Sequence, residues 1–153
     1  MDAHPDIPDS TPPMRVLCVD DSADMTAVMR MVIDAEPMME CVGCLASADD
    51  LVERVRGLNA GPAGAALGPL VVLLDATMPG KSPLKAMSEV AAAFPEVRTI
   101  IYSGHDDEAF VDRARSAGAQ GCVCKKDDPE TIVRAVREVA AGGEWWPGAR
   151  TRG

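Results

Sequence analysis

Five short apolar runs alternate along this chain with five stretches of helical periodicity, and few architectures accommodate that order. The runs are Arg15 to Asp20, Glu40 to Leu45, Leu70 to Asp75, Val97 to Ser103 and Gln120 to Cys124. The strongest of them are continuously apolar, as strands buried on both faces must be. Between them, apolar residues recur at helical spacing. The first helical set is Met25, Val28, Met29, Val32 and Ile33, and the last is Ile132, Val133, Val136, Val139 and Ala140. Ser22, Ser47 and Asp128 read as N-caps, Pro129 as a first helical residue, and Gly118 and Gly142-Gly143 as stops. The fourth helix is expected to begin near Asp106. The order predicts an α/β fold, a doubly wound parallel sheet with helices on both faces. Residues 1–13, with four prolines and three aspartates, read as a disordered tail. The folded domain is expected over 14–143, and 144–153 as a C-terminal tail. Asn59 to Pro69, rich in Gly, Ala and Pro, reads as a surface loop.

Composition narrows the function. A chain of 153 residues forms one domain, and 47% hydrophobic with 25% charged residues excludes a wholly disordered one. Aromatics at 3% argue against a base-stacking platform, and a net charge of −9 argues against direct nucleic-acid binding by this chain. No run approaches the roughly 20 apolar residues of a membrane span. The first residues lack the basic and apolar regions of a secretory signal, so the expected compartment is cytoplasmic. The five cysteines, Cys18, Cys41, Cys44, Cys122 and Cys124, suit reduced thiols there.

In open parallel sheets, ligands bind at the carboxyl ends of strands. Four of the five ends here carry chemistry: Asp20-Asp21, Asp75, Ser103-Gly104 and Lys125. Three carboxylates converging on one crevice repel and need a cation, and Mg²⁺ prefers such oxygen ligands. With the charge neutralised, one carboxylate can act as a nucleophile toward phosphorus. Lys125 and Ser103 suit two phosphoryl oxygens, and Gly104 leaves room for the group. Asp75, on the central strand, is the expected acceptor, with Asp20 and Asp21 as metal holders. Asp20-Asp21 alone would also suit a helix cap, but the company of Asp75, Ser103 and Lys125 argues against that as the whole explanation.

At these residues the chain resembles the receiver domain of bacterial two-component response regulators. The matching pieces are Val19-Asp20-Asp21-Ser22, Leu73-Leu74-Asp75-Ala76-Thr77-Met78-Pro79-Gly80, Ile101-Tyr102-Ser103-Gly104, and Gly118-Ala119-Gln120-Gly121-Cys122-Val123-Cys124-Lys125. The resemblance covers about residues 14–143 and implies a flavodoxin-like (βα)₅ fold with strand order 2-1-3-4-5. It further implies Mg²⁺-dependent phosphorylation of Asp75 by a histidine kinase, a phosphotransfer protein or a small phosphodonor. The metal would be held by Asp20, Asp21, Asp75 and the main-chain carbonyl of Thr77. Ser103 would move toward the phosphoryl group. The style is closest to receivers of LuxR-type regulators, and the chain reads as a stand-alone receiver. Its output would be contact with a downstream protein effector or a phosphorelay, with no membrane and no direct nucleic-acid partner. No catalysis is expected beyond self-phosphorylation and self-dephosphorylation.

Several residues depart from that pattern. Cys122 stands where the family usually carries a switch aromatic. Pro83 alters the start of the third helix. Thr77 leaves no second acid where a Mg²⁺ phosphohydrolase would want one. A phosphate-independent dimerisation module is the alternative. Arg134, Arg137 and Glu138 on the last helix suit a homodimer face or a solvated one. Gly80-Lys81-Ser82 lacks the first glycine of a P-loop. Cys41-x-x-Cys44 lies in a strand and reads as buried thiols. Trp145-Trp146 either fold back onto the domain or meet a partner.

Overall fold

The computed structural model describes residues 11–61, 67–78, 82–104 and 108–147. The expectations for residues 1–10 of the tail, loop residues 62–66, Pro79-Gly80-Lys81, Asp106 and residues 148–153 fall outside them. Among the described residues ten elements alternate: β1 (Met14–Val19), α1 (Ala23–Asp34), β2 (Met39–Leu45), α2 (Leu51–Leu58), β3 (Leu70–Asp75), α3 (Pro83–Ala93), β4 (Arg98–Ser103), α4 (Glu108–Ser116), β5 (Gly121–Cys124) and α5 (Pro129–Ala140). The sheet order is β2-β1-β3-β4-β5, and every pair is parallel.

The alternation of side chains along β3 builds two cores. Leu70, Val72 and Leu74 point to the side covered by α2, α3 and α4, where Leu51, Val55, Met87, Val90 and Ala114 are buried. Val71 and Leu73 point to the side covered by α1 and α5, against Met29, Ile33, Ile132, Val136 and Val139. A strand buried on both faces has no solvated side, hence its unbroken apolar run. Asp75 closes that run and is itself fully buried.

Local signals mark most element ends. The Ser22 and Asp128 side chains accept from the main-chain N–H of Met25 and Thr131, three residues on, as N-caps should. Gly118 and Gly142 take positive φ, 114° and 101°, where a side chain would be strained. Ser47 does not cap α2. Its hydroxyl accepts from the Asp49 N–H in a bend, and the helix starts at Leu51 after Asp50. Val28 leaves the buried stripe of α1 and is 47% exposed, because the stripe centres on Met29 and Ile33.

Trp145 and Trp146 fold back onto the domain. The main chain of Trp145 lies along β5, donating to Gln120 O at 3.1 Å and accepting from Cys122 N at 2.8 Å. This covers part of an edge that would otherwise present open hydrogen-bonding groups. The Trp146 indole is buried beside Ala119 and Cys122, with the Arg115 guanidinium 4.4 Å from its ring centre. Arg137 pairs with Glu36, just after α1, so part of the exposed α5 charge is met within the chain. Among the described residues, no helix is long and apolar enough to cross a membrane.

Candidate functional site

The carboxyl ends of β1, β3, β4 and β5 converge, and the structure brings Asp20, Asp21, Asp75 and Lys125 together. One carboxylate oxygen from each of the three aspartates lies within 4.8 Å of the others. Asp20 follows β1 and is buried; its Oδ1 accepts from Ser22 N–H at 2.8 Å, which ties the carboxylate to the start of α1. Asp21, the next residue, is exposed. Asp75 Oδ1 accepts from Thr77 N–H at 3.0 Å and lies 3.3 Å from the Thr77 hydroxyl. Lys125 Nζ reaches 3.1 Å from Asp75 Oδ1 and 3.9 Å from Asp20 Oδ2.

That lysine is placed by the backbone. Its N–H donates to Ser103 O at 2.7 Å, and Ser103 pairs with Cys124 across β4 and β5. Ser103 is fully buried at the end of β4. Among the described residues, an added Cβ at Gly104 would meet nothing within 4 Å.

The charges are unequally compensated. Burial pushes the Asp20 carboxyl above its ordinary range, and the neighbouring Asp75 charge adds to that; the Ser22 N–H and Lys125 pull the other way. Asp20 Oδ2 and Asp75 Oδ2 are both buried without a hydrogen-bond partner. Buried anionic oxygens without donors are costly, and a hard cation satisfies them. The donor set is all oxygen and partly open to solvent through Asp21, so these residues fit Mg²⁺.

Sequence reasoning does not single out Tyr102. It pairs with Asp75 across β3 and β4, and its ring centre lies 5.5 Å from Lys125 Nζ. Burial and then the charges of Asp20 and Asp75 push its phenol up to about 12. Its place next to Ser103 is the available signal.

Comparison with known proteins gives a consistent result. The family model "Response regulator receiver domain" matches residues 16–137. The transcriptional regulatory protein DegU of Brevibacillus brevis is 27% identical over 132 residues, 86% of this chain and 52% of that protein. The oxygen regulatory protein NreC of Staphylococcus epidermidis is 29% identical over 130 residues, 84% of this chain and 56% of its own. The chain thus spans about half the length of these curated relatives. Among solved structures, a two-component response regulator of the LuxR family from Aurantimonas superposes with TM-score 0.76 at 26% identity, covering 90% of this chain and 92% of that one. The response regulator domain of Thermotoga maritima CheB gives 0.72 at 26%, covering 84% and 97%.

Proposed function

The chain belongs to the response regulator receiver domain family, and from that premise we propose that Asp75 is its phosphoryl acceptor. A carboxylate oxygen of Asp75 attacks the phosphorus of a phosphohistidine on a histidine kinase or phosphotransfer protein, or of a small acyl phosphate. The bond from phosphorus to the donor atom breaks, and its electron pair leaves with the donor. The product is an aspartyl phosphate.

The observation that carries this reading is the division of labour at Asp75. Its Oδ1 is held by Thr77 and Lys125, whereas its buried Oδ2 has no hydrogen-bond partner. The carboxylate is therefore oriented while one oxygen is left for chemistry. Phosphoryl transfer depends chiefly on positioning and charge. Lys125 takes one phosphoryl oxygen, the Ser103 hydroxyl takes another, and Gly104, without a side chain, leaves room for the group. Asp20, Asp21, Asp75 and the Thr77 carbonyl would hold Mg²⁺, which when bound neutralises the charge that three carboxylates and a phosphoryl group would otherwise accumulate. The phosphorylated domain signals to a downstream protein, and the net charge of −9 suits a protein partner better than a nucleic acid. A module that signalled without phosphate would have no use for the two partnerless carboxylate oxygens, which disfavours that alternative.

The test is incubation with acetyl phosphate, with and without Mg²⁺, read by intact mass. The wild type gains one phosphoryl group only with Mg²⁺, and Asp75→Ala gains none. An unlabelled wild type, under conditions that label another receiver, overturns the proposal.

A further inference from the structure

Three of the five thiols gather on one face of the β1–β2 pair. Cys18 and Cys44 are register partners on these parallel strands. The register slips between Val16 and Leu17: Val16 faces Cys41, but Leu17 faces Gly43. The extra residue on β2 is a bulge. Without it, Cys41 and Cys44, three residues apart, would point to opposite faces. With it, Cys18, Cys41 and Cys44 all pack on the side covered by α1 and α5. The Cys41 thiol donates to Gly43 O at 3.5 Å. All three are free thiols.

Backbone spacing selects one pair. Registered neighbours on adjacent strands lie about 4.8 Å apart, inside the range of about 4.4–6.8 Å between Cα atoms that a disulfide spans. Cys41 sits two rungs along the ladder from both others, roughly 7 Å or more. Access selects the reactive member. Cys18 is buried, whereas Cys44 is half-buried and lines a small cleft of about 150 Å³ with Asp20, Asp21 and Thr26. The Arg30 guanidinium lies 3.8 Å from Cys44 Sγ. Burial holds this thiol above its ordinary range, and Arg30 offsets part of that by favouring the thiolate.

We propose that Cys44 and Cys18 form a redox modification site, in which a hydroperoxide oxidises Cys44 and Cys18 closes a disulfide across β1 and β2. In the first step the Cys44 sulfur takes the terminal oxygen of the hydroperoxide. The O–O bond breaks, leaving a sulfenic acid and an alcohol, or water from hydrogen peroxide. In the second step the Cys18 sulfur attacks the sulfenic sulfur. The S–O bond breaks, and the oxygen leaves as water with the Cys18 proton. Two electrons pass from the thiols to the hydroperoxide.

The test uses the full chain with tert-butyl hydroperoxide, followed by N-ethylmaleimide in guanidinium chloride, which exposes every remaining thiol, and mass spectrometry. Three thiols instead of five are then alkylated, and a linked peptide joins Cys18 to Cys44. Cys41→Ser still forms that link, whereas Cys44→Ser forms none. Five alkylated thiols, a link through any other cysteine, or oxidation of Cys44 that stops short of a link overturns the proposal. The linkage is read on the wild type, so the result is independent of how any variant folds and of phosphoryl acceptance at Asp75.

Discussion

Replacing Asp75 with Asn should stabilise the metal-free protein while abolishing its chemistry. The charge interactions nearly cancel. At an effective dielectric of about 20, repulsion between Asp20 and Asp75, whose nearest oxygens lie within 4.8 Å, is at least about 3.5 kcal/mol. The exposed Asp21 adds about 1 kcal/mol, screened by water. Attraction to Lys125 at 3.1 Å offsets these with about 5 kcal/mol. What decides the sign is the pair of buried oxygens without donors, Asp20 Oδ2 and Asp75 Oδ2. The two carboxyl groups face one another within the 4.8 Å that spans the cluster. An amide at position 75 keeps the acceptor for Thr77 N–H and offers a donor to Asp20. Relieving such unsatisfied groups is worth about 1–3 kcal/mol. We therefore expect Asp75→Asn to gain about 2 kcal/mol, a rise in melting temperature of roughly 6 °C. The assay is thermal unfolding by circular dichroism in a chelator, repeated with Mg²⁺. Mg²⁺ should raise the wild-type transition through binding, and the variant's by less. A variant that melts at or below the wild type in chelator refutes the reasoning and shows that the Lys125 contact outweighs the unsatisfied oxygens.

Three further outcomes follow from other residues. Arg15 is buried and donates to Gly68 O at 2.9 Å, Leu58 O at 2.7 Å and Asn59 Oδ1 at 3.2 Å, so Arg15→Met should cost about 2–4 kcal/mol in urea unfolding; a loss below about 0.5 kcal/mol contradicts the role of the guanidinium in tying down this loop. Trp146→Ala should cost about 1–3 kcal/mol by the same measurement, less than a full core truncation because a segment after the last helix can undock locally. For Asp20, burial raises the folded-state carboxyl above its value of 3.8 in the unfolded chain. The native state thus binds more protons between those two values, and this residue's contribution to metal-free stability grows as pH falls through that window. Comparing Asp20→Asn with the wild type across that range should show the variant's advantage shrink as pH falls, and a trend of the opposite sign would exclude burial as the main cause.

The strand ends are legible because two general rules act together. A strand buried on both faces tends to an unbroken apolar run, as in β3, so the polar residue that closes the run marks the strand's end. Parallel topology then brings those ends to one side. Asp20, Asp75, Ser103 and Lys125 stand out in this way. Ser47 misleads because a serine hydroxyl serves a bend as readily as a helix start, and here it binds Asp49 N–H. Tyr102 is hidden inside an apolar run, where only strand pairing shows that it neighbours Asp75. The β2 bulge leaves no mark in a run such as Glu40 to Leu45, since register depends on the partner strand. The CxxC spacing therefore points only to Cys41 as a partner for Cys44, and Cys18 emerges only once the ladder is known. The docking of Trp145 on β5 rests on main-chain bonds to Gln120 and Cys122, which side-chain patterns do not encode.

Asp75, and no other carboxylate of the cleft, is proposed to carry the phosphoryl group. The most direct measurement is to phosphorylate the wild type with acetyl phosphate and Mg²⁺, reduce the acyl phosphate with borohydride, and map the resulting homoserine by peptide mass spectrometry. Homoserine is expected at position 75 alone. Homoserine at position 20 or 21, or none in protein whose mass shows a phosphoryl group, would contradict that assignment.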